Sequence, residues 1–279
     1  MLNCDIDRIS SLVDSEELDR ARVYLADVAA QVRTRYGELK TPAWAWAVSS
    51  ILDLEIRIDL GSAKDATDNT RILLNNTQEF AQLLQTHLTF DLADRYSTRI
   101  FMLVEEMEKA SDFKASAAAT AEAAKLLEAL ARVEWDTGKE TEEDALARRN
   151  FGFRTAAMLY RRLGWISAEK LDAATVGLDA ATTAIAVAQA GLPLAVRGSD
   201  QFISLRWEEM LGEEVRGTAL LRLGRLKEGV EADKRGLAIS DDILTLDIDE
   251  VQRQNLEQER NFLGPRIVET MTAIEGGQP

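Results

Sequence analysis

Apolar residues recur along most of this chain every three to four positions, the period of a helix with one buried face. Leu92, Tyr96, Ile100, Leu103, Val104 and Met107 form one such series, and Ala123, Leu126, Leu127, Leu130 and Val133 form another. Strand-like alternation does not persist over any useful length. The pattern predicts about ten helices, near 15–37, 42–60, 63–88, 90–110, 113–136, 141–163, 167–190, 200–223, 226–239 and 247–275, with a short one before Asp14.

The punctuation agrees with that reading, since only four prolines interrupt 279 residues. Thr41-Pro42 places proline at a first helical position, where its missing N–H costs nothing. Gly61-Ser62 ends one helix and offers a cap for the next, and Gly138, Gly164, Gly191 and Gly224 each follow an apolar run as C-terminal glycines do. The least helical stretch runs from Gly191 to Asp200 and reads as a loop or joint. Helices joined by such short connections run antiparallel, so the chain is expected to be a series of helical hairpins. That many hairpins in succession favour a stacked array over a single bundle. We divide the chain into N-terminal hairpins over 1–140 and a second set over 141–275, in one continuous array, with a disordered tail over 276–279.

One hairpin carries a recognisable motif. Gly217, Leu220, Gly224, Leu226, Gly229 and Gly236 fill, in order, the small and large positions of a tetratricopeptide repeat, and the chain resembles that family here. Small residues let two helices approach while the large ones plug the gap. A weaker match runs from Phe151 to Gly177, through Ala157, Tyr160 and Gly164. The two turns, at Gly164 and Gly224, lie 60 residues apart rather than at a multiple of the family's 34. The motif's Trp and terminal Pro are also missing. The resemblance therefore implies an all-α, irregular tetratricopeptide-like right-handed solenoid, and it covers about a quarter of the chain.

Composition narrows the function classes. Hydrophobic residues make up 46% and charged residues 29%, enough for a packed core. The net charge of −15 argues against nucleic acid or an anionic membrane surface as partner. Cys4 is the single cysteine and His87 the single histidine, so neither thiolate clusters nor histidine-based metal sites can be built. With no apolar run near Met1–Ser10 and no membrane-length segment, a cytoplasmic location is expected. No phosphate-loop spacing occurs. The acidic groups at Glu105–Glu108, Glu142–Asp144 and Asp247–Glu250 read as solvated faces and first helical turns. His87 reads as a partly buried or helix-end residue, and the five tryptophans read as core, with one of Trp44 and Trp46 at a rim. No catalytic residue, metal or cofactor is expected.

The remaining signal is a basic stripe, Arg148, Arg149, Arg154, Arg161 and Arg162, in an acidic chain. On the repeat alignment, Phe151, Arg154, Met158, Arg161 and Arg162 line the concave face, and Glu214, Thr218, Leu221 and Arg222 continue it on the next hairpin. Guanidinium groups beside Phe151 and Met158 suit an acidic or C-terminal peptide. The expected function is a non-catalytic adaptor, or a subunit of a larger bacterial assembly, binding a protein partner in that groove. The alternative is a tetratricopeptide-like sensor of a peptide or small ligand. It would lack a DNA-binding module of its own, because acidic residues outnumber basic ones over 1–60. Self-association through an end hairpin is compatible with either.

Overall fold

A computed structural model describes residues 2–134 and 140–276, with the side chains of residues 2 and 3 left aside. Among the described residues it contains eleven α-helices and no strand. By their internal contacts the residues form two units, Met1–Asp112 and Phe113–Pro279.

The first unit holds α1 (Leu2–Asp14), α2 (Leu18–Leu39), α3 (Pro42–Gly61), α4 (Ala66–Thr86) and α5 (Phe90–Lys109). Its centre is α3, on which α1, α2 and α4 all pack. The sequence of α3 explains this position. Ala47, Val48, Ile51, Leu52, Leu54, Ile56 and Ile58 are buried on more than one side, and a helix apolar all round must be covered all round. Pro42 occupies the first turn behind Thr41, as expected. Asp65, rather than Ser62, caps α4 through the Asp68 N–H. The predicted series on α5 is buried throughout, and Arg95 and Arg99 reach across from it to Asp53 of α3.

The second unit holds α6 (Phe113–Arg132), α7 (Glu142–Trp165), α8 (Ala174–Gly191), α9 (Asp200–Arg222), α10 (Leu226–Leu244) and α11 (Glu250–Glu275). Neighbours in sequence pack on each other, and α7 also packs on α9. The division expected at 140/141 falls between α6 and α7, which lie against one another. Alanine dominates the α8 interfaces, allowing α7 and α9 to close on it from both sides.

Gly164 does not end a helix. It lies inside α7, which continues through a π-helical turn, Ile166–Lys170, before the chain reverses at Asp172 with φ 51°. Its role is contact across helices: a Cβ built at Gly177 of α8 would sit 2.8 Å from the Gly164 carbonyl oxygen. The turn at Gly224 is as expected, with φ +71°, a conformation glycine adopts at little cost. Beyond it, a Cβ on Gly229 would lie 2.7 Å from the Leu221 side chain, so α9 and α10 approach closely at this glycine. Gly191 closes α8, and the loop that follows runs through a 3₁₀ turn to the Ser199 cap of α9. Gly138 and the last three residues of the tail fall outside the described residues.

Of the tryptophans, Trp46 takes the rim position expected for one of Trp44 and Trp46, and Trp165 departs from the core position expected for it. Trp46 is 45% exposed and Trp165 38% exposed, while Trp44 is half-buried. Trp207 packs against the core of Ile203, Met210, Ile239 and Ile243, and Trp135 lies outside the described residues. His87 ends α4, half-buried, with its ring 5.7 Å from that of Tyr36, and desolvation holds its pKa below the usual value.

Candidate functional site

Glu142, Glu143 and Asp144 sit in the first turn of α7, behind the Thr141 cap, where carboxylates complement the helix dipole. From there the basic stripe divides into two groups of arginines. Arg148 is 1% exposed and points into the unit, not into a groove. It donates to the carbonyls of Leu130 at 2.6 Å and Val133 at 3.3 Å, and to Glu140 at 2.6 Å. Arg149 donates to the Ala131 carbonyl at 3.2 Å. Both therefore satisfy the open C-terminal carbonyls of α6, which a helix end leaves without partners.

The other group faces outward. Phe151, Arg154, Met158, Arg161 and Trp165 follow one another at three- and four-residue steps, so they form a single stripe along α7. Phe151, Met158 and Trp165 repeat every seventh residue, and the arginines stand between them. Arg154 is exposed and makes no hydrogen bond or ion pair among the described residues. Arg161 is half-buried and donates from Nε to Glu208 of α9 at 2.9 Å. Arg162 is also half-buried, beside the stripe. At the far end the Lys170 ammonium lies 5.1 Å from the Trp165 ring and 5.7 Å from that of Phe113, a cation–π arrangement. Trp165, near a helix end and expected in the core, is instead exposed on this stripe. The seven-residue repeat from Phe151 is the signal that would have placed it on the stripe.

On α9 the expected positions are engaged internally. Thr218 accepts from Arg266 of α11 at 2.8 Å and donates to the Glu214 carbonyl at 3.1 Å. Arg222 makes a two-pronged contact with Glu169, at 2.7 and 3.2 Å. Leu221 plugs the space over Gly229. The structure thus keeps Phe151, Arg154, Met158, Arg161 and Arg162 together on α7. It sets Thr218 on the part of α9 that α11 reaches, and Arg222 beside the π-helical turn.

Behind this surface runs a buried ionic network. Glu208, Glu209 and Glu213 of α9 and Asp233 of α10 are all buried. They meet Arg161, Arg206, Arg235 and Arg266 respectively, with Gln189 also donating to Glu209 at 2.9 Å. Burial pushes the Glu213 and Asp233 carboxyls above their ordinary range. Glu214 is pushed up to about 7, first by desolvation and then by the neighbouring carboxylate of Glu259 on α11. Among the described residues, no three His, Cys, Asp or Glu side chains are grouped to hold a metal ion, and no helix is long and apolar enough to cross a membrane.

No protein-family model matches the chain, and no curated protein matches it. Six solved chains do, among them a de novo designed helical repeat protein. That protein is 16% identical, with 98% of this chain and 100% of the designed one covered, at a TM-score of 0.27. A likeness at that score carries no inference to this chain. The chain's own helices establish an all-helical fold of stacked hairpins.

Proposed function

We propose that this protein is a non-catalytic binding scaffold of tetratricopeptide-like build, an adaptor or assembly subunit that takes a segment of a protein partner along the outer stripe of α7. The observation that carries this reading is Arg154: an exposed guanidinium with no hydrogen bond or ion pair among the described residues, one turn from half-buried Phe151 on one side and half-buried Met158 on the other. The other arginines of this surface with known contacts serve the fold, whereas Arg154 is left to the solvent. A guanidinium framed by apolar side chains can grip a carboxylate through two parallel hydrogen bonds while its neighbours exclude water. Trp165 extends the apolar contact, and aromatic and arginine side chains are enriched at interface centres. The partner chemistry that fits is an acidic or C-terminal peptide segment. A cytoplasmic setting follows the absence of cysteine pairs in the sequence.

The test is capture from the native host with tagged protein, comparing wild type with Arg154→Glu. The reading predicts loss of the captured partner at an unchanged melting temperature, because Arg154 is exposed and makes no hydrogen bond or ion pair among the described residues. Undiminished capture by the variant would remove Arg154 from the site and the reading with it.

A further inference from the structure

In the first unit, α2 and α4 both pack on α3 but stay apart from each other along most of their length. Between them lies a groove of about 560 Å³, a size typical of ligand sites. Its floor follows α3 from Leu52 to Ser62, about 15 Å of helix, which matches about four or five residues of extended chain.

The groove's charges are committed in one direction. Arg33 of α2 grips Glu55 through two hydrogen bonds of 2.7 Å and makes a single 3.1 Å contact with Glu79 of α4. Arg22 meets Asp59 at 3.2 Å and Arg71 meets Asp68 at 3.1 Å. Four carboxylates thus line the groove against three guanidiniums, one negative charge in excess (3 − 4 = −1). Each guanidinium has a carboxylate partner, and Glu79 receives a single contact, so the one negative charge in excess favours a cationic ligand. Asn76 adds an independent demand. It lines the groove at 7% exposure and donates Nδ2 to the Leu52 carbonyl at 2.8 Å, while its Oδ1 is buried with no partner. A buried acceptor without a donor is an unfavourable state that a ligand N–H would relieve.

We propose that this groove binds an extended peptide segment bearing basic side chains, whose cationic groups engage Glu79 and Asp59 while an N–H donor reaches Asn76 Oδ1. The site is separate from the α7 stripe and takes the opposite charge, so either proposal can fail without the other. An acidic segment would add to the groove's excess of negative charge. A small polyamine offers charge without an extended backbone.

The test is fluorescence anisotropy on the full chain, with a labelled nonapeptide of alternating arginine and serine, its glutamate–serine counterpart, and spermidine as competitor. The arginine peptide should bind, the glutamate peptide should not, and spermidine should compete far less well than unlabelled peptide. Glu79→Gln/Asp59→Asn should weaken binding by about tenfold or more. A charge-matched control on exposed residues of α11, Glu257→Gln/Glu275→Gln, should change it by less than about twofold. Circular dichroism checks that both variants keep their helices, and Glu79→Gln alone serves if the double variant does not. Equal losses in the groove and control variants would reduce the binding to the chain's overall acidity and overturn the proposal. So would tight binding of the acidic peptide, or competition by spermidine on equal terms.

Discussion

In Met1–Asp112, α1, α2 and α4 gather around one apolar rod, α3, with large aliphatic side chains between them, whereas in Phe113–Pro279 α7, α8 and α9 close on each other through glycine and alanine and are tied by buried ions. The consequences differ. Large side chains on α3 hold α2 and α4 at a distance and leave a groove over it. Small residues on α8 and at Gly164 let α7 pack on both α8 and α9, and Arg161 of α7 pairs there with Glu208 of α9. On α7 the fold engages Arg148, Arg149 and Arg161, whereas Arg154 makes no hydrogen bond or ion pair among the described residues.

The largest effect that could break this comparison lies at the end of α6. Replacing Arg148 with alanine removes its hydrogen bonds to the Leu130 and Val133 carbonyls and its ion pair with Glu140, and should cost about 3–5 kcal/mol, the usual loss on removing one partner of a buried pair. Chemical denaturation measures it, and a loss near that of a surface substitution would mean water replaces the guanidinium at no cost.

The same substitution in the two units should have opposite signs. Gly177→Ala drives a methyl onto the Gly164 carbonyl and should destabilise by about 1–3 kcal/mol. Gly37→Ala, within α2 and with nothing in 4 Å of the added carbon, should stabilise by about 0.5–1 kcal/mol. If both changes move the denaturation midpoint the same way, close approach is not what sets the second unit apart.

A further effect should follow pH. The Glu214 carboxyl is raised from its ordinary 4.5 to about 7 in the folded chain. The folded state thus holds this proton more tightly than the unfolded state, and stability must fall as pH rises from 4.5 through 7. Glu213 and Asp233 are shifted the same way, so the diagnostic quantity is the difference between wild type and Glu214→Gln. Melting temperatures should converge at pH 4 and separate by pH 8, with the variant the more stable. Parallel profiles would show that the Glu214–Glu259 contact does not retain a proton.

How much of this could be read from the residues alone varies with how local the cause is. Helix positions were legible because apolar periodicity and caps such as Thr41-Pro42 act within a few residues. The hairpin at Gly224 was legible for the same reason. Gly164 misled because a glycine after an apolar run has the look of a stop, while its true neighbour, Gly177, meets it only once α7 and α8 pack. Arg148 could not be told from a solvated arginine, since its partner carbonyl at Leu130 lies 18 residues away. The α2–α4 groove left no mark in the sequence: Arg33 finds Glu79 across 46 residues, and Asn76 finds Leu52 across 24. Four of the stripe's members were legible from the repeat alignment, and Trp165 was lost to its position at a helix end.

The α7 stripe as a partner-binding surface is tested most directly by site-specific photo-crosslinking in the native host. A photoreactive phenylalanine analogue at Met158 should yield a discrete crosslinked species, and that species should disappear when Arg154→Glu is combined with it. The same analogue at Val196, 77% exposed in the loop before α9, should yield none. Crosslinks of equal yield at both positions, or a Met158 crosslink indifferent to Arg154→Glu, would contradict the account.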